Sequence, residues 1–249
     1  MSVALSINLN KIALIRNSRP GNNPDLLAYA SQCIELGCQG ITLHPRPDQR
    51  HVRASDVTPL AELCRLHSEI EFNIEGNPLE GALADYPGFI ALVESVRPDQ
   101  CTLVPDVSDQ PTSDHGFDLN KTGTLLEPII RNLKDQDIRV SLFMDPDLRQ
   151  IQLAKEVGAD RIELYTGPYA GAFDEGCYQD ILEQHQRAGQ LAHEIGLGVN
   201  AGHDLNLKNL PEYRSVPYLA EVSIGHAFTL DCLQTGIEST MQDYLAVLA

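Results

Sequence analysis

Short β-branched or apolar runs of strand length recur along the chain at Ala4–Asn10, Gly40–Pro45, Ile70–Glu75, Gln100–Pro105, Arg139–Asp145, Arg161–Thr166, Gly198–Gly202 and Ala220–Gly225. Each is followed by a stretch with apolar residues at three- and four-residue spacing, as in LLEPIIRNL and IQLAKEVG. That spacing predicts helices over Pro24–Leu36, Asp56–His67, Glu80–Val96, Thr124–Gln136, Pro146–Val157, Glu175–Ile195, Leu207–Tyr213 and Leu230–Leu248. Boundary residues agree: Pro or Asp opens several of these segments, and Gly37, Gly158 and Gly196 each close one before the next strand.

Eight strand–helix units in series predict an α/β fold, a parallel sheet closed as a single (β/α)8 TIM barrel rather than an open sheet. The length of 249 residues suits one such barrel. No repeat, low-complexity segment or Pro/Ser-rich linker divides the chain, so one domain over residues 1–249 is expected. One connection is longer than a connector needs to be. Asp106–Gly123, DVSDQPTSDHGFDLNKTG, is polar and turn-rich without an apolar period. Its length and its place after the fourth strand predict a lid over the barrel mouth.

Ionisable side chains recur where the strands run out: His44 in GITLHP, Glu75 in IEFNIEG, Glu163 in RIELYTG, His203 in GVNAGH and His226 in EVSIGH. In a parallel barrel these ends share one mouth, where TIM-barrel chemistry sits. Two carboxylates and three imidazoles there point to staged proton transfers. For Glu75 and Glu163 the competing role is structural pairing with Lys or Arg. For the Gly-His pairs it is a buried, hydrogen-bonded ring.

Composition narrows the partners. With 43% apolar and 21% charged residues the chain reads as a soluble globular protein. No apolar run approaches the ~20 residues that span a bilayer. The start, MSVALSINLNKIALIRNSR, does not have the form of a signal peptide, so a cytoplasmic location is expected. Cys33, Cys38, Cys64, Cys101, Cys177 and Cys232 form no CxxC pair and read as buried free thiols. A net charge of −17 argues against nucleic acid and anionic membrane.

The charge is uneven. Residues 1–53 carry six basic groups (Lys11, Arg16, Arg19, Arg46, Arg50, Arg53) against three acids (Asp25, Glu35, Asp48). Lys11, Arg16, Arg46 and Arg50 lie just beyond the first two strands, which suits a small phosphate ester. Arg46, Arg50 and His51 sit in HPRPDQRH, a segment stiffened by two prolines, where a salt-bridged loop built on Asp48 is the alternative. Asn8 occupies an alternating polar position of the first strand. Arg16 lies within an apolar segment, where a packing role competes with ligand binding. Gly225 and His226 precede a helix whose free N–H groups favour a phosphate. His44, Glu75, His203 and His226 are ligand types for a metal, but no HxH or HExxH spacing gathers them, and no metal is expected. GxxxxGK[ST] and strand-linked GxGxxG are absent, so no nucleotide cofactor is indicated.

Taken in order, INLNKIALIRNSR, ITLHPRPDQRH, FNIEG, VSLFMD, IELYTGPYA, VNAGH and SIGHA resemble, nearly end to end, the pyridoxine 5′-phosphate synthase family of vitamin B6 biosynthesis. The resemblance implies condensation of 3-amino-2-oxopropyl phosphate with 1-deoxy-D-xylulose 5-phosphate. The products would be pyridoxine 5′-phosphate, phosphate and water, with no metal or organic cofactor. It implies His44 and Glu75 as proton acceptors, His203 as proton donor, and Glu163 as a carboxylate that stabilises charged intermediates. It implies Asn8 and Arg19 as contacts to the amino ketone phosphate, and Arg46, His51 and Thr112 as contacts to the sugar phosphate. Gly225 and His226 match the phosphate site after the eighth strand. A homo-oligomer, an octamer built from dimers, is implied as well.

The chain departs from the family pattern at Asn10 and Lys11, which replace an Asp-His pair, and at Asp204, which replaces Gly. These three are carried as substrate contacts by position. HAFTLDC also lacks the usual Gly-Arg after the histidine. Two readings compete. One is a metal-dependent aldolase or isomerase of sugar phosphates, which chelation with an activity assay would separate. The other is a barrel that only binds a phosphometabolite, against which the presence of His44, Glu75 and His203 argues.

Overall fold

The computed structural model describes residues 2–107, 110 and 112–249. Its elements run β1 (Ala4–Asn8), α1 (Asn10–Asn17), α2 (Leu26–Glu35), β2 (Gly40–Leu43), α3 (Ala54–Arg65), β3 (Glu71–Gly76), α4 (Phe89–Val96), β4 (Gln100–Leu103), α5 (Leu119–Lys134), β5 (Arg139–Met144), α6 (Leu148–Glu156), β6 (Arg161–Tyr165), α7 (Gly167–Asp174), α8 (Gln179–Glu194), β7 (Gly198–Gly202), α9 (Leu210–Tyr213), β8 (Leu219–Ile224), α10 (His226–Thr235) and α11 (Ile237–Leu248). Every strand pairs in parallel with its neighbours, and β8 closes on β1 with Leu5 beside Val222 and Ile7 beside Ile224. The expected (β/α)8 barrel is the fold.

The strands alternate, and their two faces differ in chemistry. Leu5, Ile7, Ile41, Leu43, Phe72 and Ile74 belong to one buried apolar cluster with helix residues such as Leu60 and Val93. The intervening residues point into the barrel and are mostly polar. Ser6 and Thr42 share a hydrogen bond of 2.7 Å, and Thr102 donates to Asn73 at 3.1 Å. Asn200 on β7 donates to Gln100 on β4 at 3.3 Å. These strands are not neighbours, so the bond crosses the barrel interior. At the strand starts Arg139 pairs with Glu71, and Arg161 donates to Asn200 at 3.1 Å and to Glu221 at 3.4 Å. Branched apolar side chains usually fill this space. Here a hydrogen-bonded network fills it, which is tolerable because most of its members find partners in one another.

Several elements differ from the sequence-based expectations. The helix expected over Thr124–Gln136 begins at Leu119, where the Asp118 carboxylate accepts the Asn120 N–H. The long connection after β4 therefore ends before Asp118 rather than at Gly123, and Gly123 is buried inside α5. Ser108, Asp109 and Pro111 of the expected lid lie outside the described residues. The final helix is two, broken at Gly236 with φ +84°. Helices α1 and α7 were not expected, because each follows a strand directly and its first residues read as a strand end. Glu80–Val96 shortens to α4, since Pro87-Gly88 delays helix entry. Of the six free cysteines four are buried, but Cys177 is exposed and Cys232 half-buried. Among the described residues no helix is long and apolar enough to cross a membrane.

Away from the mouth, His185 of α8 is fully buried, with Nδ1 2.8 Å from the Tyr213 hydroxyl. Burial pushes this imidazole down to about 4, against ~6.5 in an unfolded chain. The unfolded state therefore binds one more proton between those values, and stability attributable to His185 is lost as pH falls through that window. Relative to a His185→Asn variant, the native chain should lose roughly 1.4 kcal/mol per pH unit below about 6.5. Urea unfolding of both proteins at neutral and mildly acid pH measures this. Parallel stability curves would show that His185 is not held neutral.

Candidate active site

The C-terminal ends of the strands surround a cavity of about 300 Å³. Of the fourteen residues singled out from sequence, all but Arg19 line it. The fold explains the convergence. Asn8 ends β1 and Asn10 and Lys11 open α1; His44, Arg46 and His51 follow β2; Glu75 lies on β3 and Glu163 on β6. His203 and Asp204 follow β7, Gly225 and His226 follow β8, and Thr112 comes from the β4–α5 loop. Arg19 lies beyond α1 and is exposed.

The carboxylates sit at the bottom of the cavity. Glu75 accepts from Asn8 Nδ2 at 3.2 Å and lies 3.8 Å from His44 Nδ1. Burial raises Glu75 well above the usual carboxylate range, and Glu163, Asp106 and Glu221 push the same way. Glu163 is raised to about 7 by burial, against the opposing hydrogen bond of Thr102. Gly202 makes room for it: a Cβ there would stand 2.1 Å from Glu163 Oε1. His44 is pushed down to about 3, first by burial and then by Arg46 and Arg50. Burial raises one partner and lowers the other, so it works against an ion pair between His44 and Glu75. Asn10 fixes the segment by accepting the His44 backbone N–H at 3.1 Å.

The cationic side is built around Arg46. Its guanidinium is buried, paired with Asp106, and donates to the carbonyl of Gln110 at 3.2 Å. Asp106 also lies 3.4 Å from His44 Nε2 and accepts from Ser113 at 3.3 Å. The Val52 N–H donates to His51 Nδ1 at 2.9 Å, which leaves the ring proton on Nε2. Burial, His44 and Arg46 lower His51 to about 3. Arg16 takes the packing role: it is buried and donates to both oxygens of Asp56, at 2.6 and 2.8 Å. Arg50 bonds Asp48 and the Gln110 carbonyl, so only Lys11 and Arg46 of the early basic group line the cavity.

Sequence reasoning missed Asp106, although it follows β4 as the other site residues follow their strands. It also assigned no role to Phe143, Ser113 and Ser223, which line the cavity. Among the described residues no group of three or more His, Cys, Asp or Glu side chains is placed to hold a metal ion. The arrangement offers a neutral imidazole, two carboxyls with raised pKa, a second imidazole in contact with Thr112, and cationic groups for an anion. That set can move protons at several atoms of one bound ligand.

Residues 5–249 match the family model of the pyridoxal phosphate biosynthesis protein PdxJ. A pyridoxine 5′-phosphate synthase of Xanthomonas campestris pv. campestris is 51% identical over 250 residues, spanning 100% of this chain and 97% of the relative. The synthase of Xylella fastidiosa is 49% identical over 245 residues, spanning 98% and 94%. Among solved structures, a thiamine phosphate pyrophosphorylase of Pyrococcus furiosus superposes with a TM-score of 0.62 at 13% identity, covering 99% of this chain and 95% of that one. A 3-keto-L-gulonate-6-phosphate decarboxylase of Vibrio cholerae gives 0.62 at 11% identity over 100% of both chains. These two share the fold alone. Half-identity over full length, together with the family match, makes this chain a member of the PdxJ family of pyridoxal phosphate biosynthesis proteins.

Proposed function

We propose that this chain is a pyridoxine 5′-phosphate synthase, joining 3-amino-2-oxopropyl phosphate to 1-deoxy-D-xylulose 5-phosphate and closing the pyridine ring. The observation that carries the reading is full-length similarity to synthases of that name, in a chain that gathers His44, Glu75, Glu163 and His203 in one cavity. Imine formation, loss of phosphate, hydration, ring closure and dehydration each move a proton. One base cannot stand beside every reacting atom, so several groups around one mouth suit the reaction.

In this reading His44, already neutral, accepts a proton directly. Burial favours the protonated form of Glu75. A cationic amine or iminium brought near Glu75 and Glu163 favours their charged forms, so the substrate itself readies the second base. His203 supplies a proton from the opposite wall. Lys11, Arg46, His51 and the Gly225–His226 turn receive the phosphates, with Asn8, Asn10, Thr112 and the backbone N–H of Asp204 as neighbouring contacts. Arg19 would reach the amino ketone phosphate only if its segment moved inward. A single domain and a cytoplasmic location go with this reading and rest on the sequence pattern, and a homo-octameric assembly rests on the family resemblance.

The direct test is incubation with both substrates. Pyridoxine 5′-phosphate and free phosphate should appear together, and the failure of either to form would overturn the reading. Glu75→Gln keeps the size and hydrogen-bonding capacity but removes the base. Turnover should fall by at least ~10²-fold with the fold intact, and near-normal turnover would remove Glu75 from the chemistry. Arg46→Ala should weaken 1-deoxy-D-xylulose 5-phosphate more than the dephosphorylated sugar, because a guanidinium fork matches phosphate oxygens. Equal loss for both sugars would mean that Arg46 serves only to hold the β4–α5 loop through Asp106 and Gln110.

A further inference from the structure

The end of β7 is the most constrained turn at the mouth. His203 and Asp204 are consecutive non-glycine residues with positive φ, +83° and +59°. Such backbone costs free energy and persists only where the surroundings enforce it. Thr166 grips the turn from β6, its hydroxyl donating to the Gly202 carbonyl at 2.7 Å and to that of His203. Asn209 holds it from the other side, donating to the Asp204 carbonyl at 3.1 Å. The effect is to turn the Asp204 carboxylate back on its neighbour, with Oδ2 2.7 Å from His203 Nδ1. The other ring nitrogen, Nε2, lies 2.8 Å from Thr112 Oγ1 on the β4–α5 loop. Tyr165 packs edge-on against the ring at 5.3 Å and limits its tilt.

We propose that Asp204 is a positioning residue for His203, holding the Nδ1 proton so that Nε2 alone gains and loses a proton at the cavity. The inference rests on the reading of His203 as proton donor. An imidazole has two nitrogens, and a donor is useful only if the proton leaves from the one that faces the substrate. A carboxylate fixed on Nδ1 keeps that hydrogen bond whether the ring is neutral or cationic. Only Nε2 then changes state, and Nε2 is the atom turned toward the loop residue Thr112.

The surrounding groups support a charged Asp204. Its carboxyl is held below the usual range, first by the His203 hydrogen bond and then, against partial burial, by the neighbouring His203, His226 and Lys11. Lys11 comes from the start of α1 and His226 from the start of α10. Tyr165 faces Asp204 from β6, and burial with the negative charges of Asp204, Asp114 and Asp145 raises its hydroxyl. It therefore stays neutral near pH 7 and does not compete for the Nδ1 proton.

Substitution at Asp204 is a clean test, because left-handed backbone is comfortable for Gly and tolerable for Asn. Nitrogen NMR of the histidine rings reads the tautomer, and steady-state kinetics reads its consequence. In the native chain neutral His203 should carry its proton on Nδ1. Asp204→Gly should shift the proton to Nε2 and lower kcat at least ~10-fold, with KM for both substrates within about twofold. Asp204→Asn, whose amide oxygen still accepts from Nδ1, should keep the tautomer and recover most of kcat. An unchanged tautomer in Asp204→Gly would overturn the proposal, as would a rise in KM with kcat preserved. His203→Gln separates the two levels of inference. If it turns over normally, the donor assignment falls, while the ring tautomer in the Asp204 variants still decides whether the carboxylate positions the ring.

Discussion

The barrel interior is polar, and much of the rest of the molecule follows from that constraint. A buried polar group without a partner costs roughly 1–3 kcal/mol, so the inward residues of the strands have to bond across the barrel as well as along it. Asn200 reaches Gln100, Thr102 reaches Asn73, and Arg161 reaches both Asn200 and Glu221. The apolar driving force lies outside the barrel, where the outward strand residues meet the helices. The network also provides a polar floor beneath the mouth. Glu75 and Glu163 stand on it, each with one neutral partner, Asn8 for the first and Thr102 for the second. With neutral partners only, both carboxyls stay above the ordinary carboxylate range.

The wall of the cavity uses charge differently. Arg46 is buried but paired with Asp106, so its cation is compensated before any ligand arrives. Removing a guanidinium from water without a counter-ion would be costly. The same Asp106 stands close to His44 Nε2 and to Ser113 of the β4–α5 loop. Arg46 is thereby tied to His44 and to the β4–α5 loop through one carboxylate. His44 and His51 remain neutral beside two arginines because burial and like charge act in the same direction.

The sequence disclosed the fold and the members of the site better than it disclosed their states. Strand runs and strand-end residues were legible because a parallel barrel sends every C-terminal strand end to one mouth, which made His44, Glu75, Glu163, His203 and His226 neighbours without contact information. Asp106 obeyed the same rule, yet sat in a stretch read as a polar loop. The start of α5 was hidden for a related reason: DLNKTG looks like loop, and only the Asp118 cap reveals the helix. Arg16 could not be told from a ligand-binding arginine, because its partner Asp56 is forty residues away and only packing brings them together. The turn of Asp204 onto His203 depends on positive φ at both residues, enforced by Thr166 and Asn209, and a motif pattern carries no such information.

The protonation states carry an energetic consequence for the whole chain. His44, His51 and His185 are lowered to about 3, 3 and 4. Between about 4.5 and 6.5 the unfolded state binds a proton at each of these histidines that the native state does not. Glu75 is raised, and Glu163 and Glu221 are raised to about 7 and 8. Over the same window the native state holds protons at these carboxyls that the unfolded state has released. The two sets have opposite slopes and offset each other, which is why the acid sensitivity of His185 must be read as a difference between variants. Above about 6.5 the histidines drop out. Stability associated with Glu163 and Glu221 is present at lower pH and is lost as pH rises through about 7 and 8, and the raised Glu75 acts in the same direction. Near neutral pH the burial of these carboxyls therefore works against the fold. A cationic group placed beside Glu75 and Glu163 would favour their ionised forms and relieve that cost.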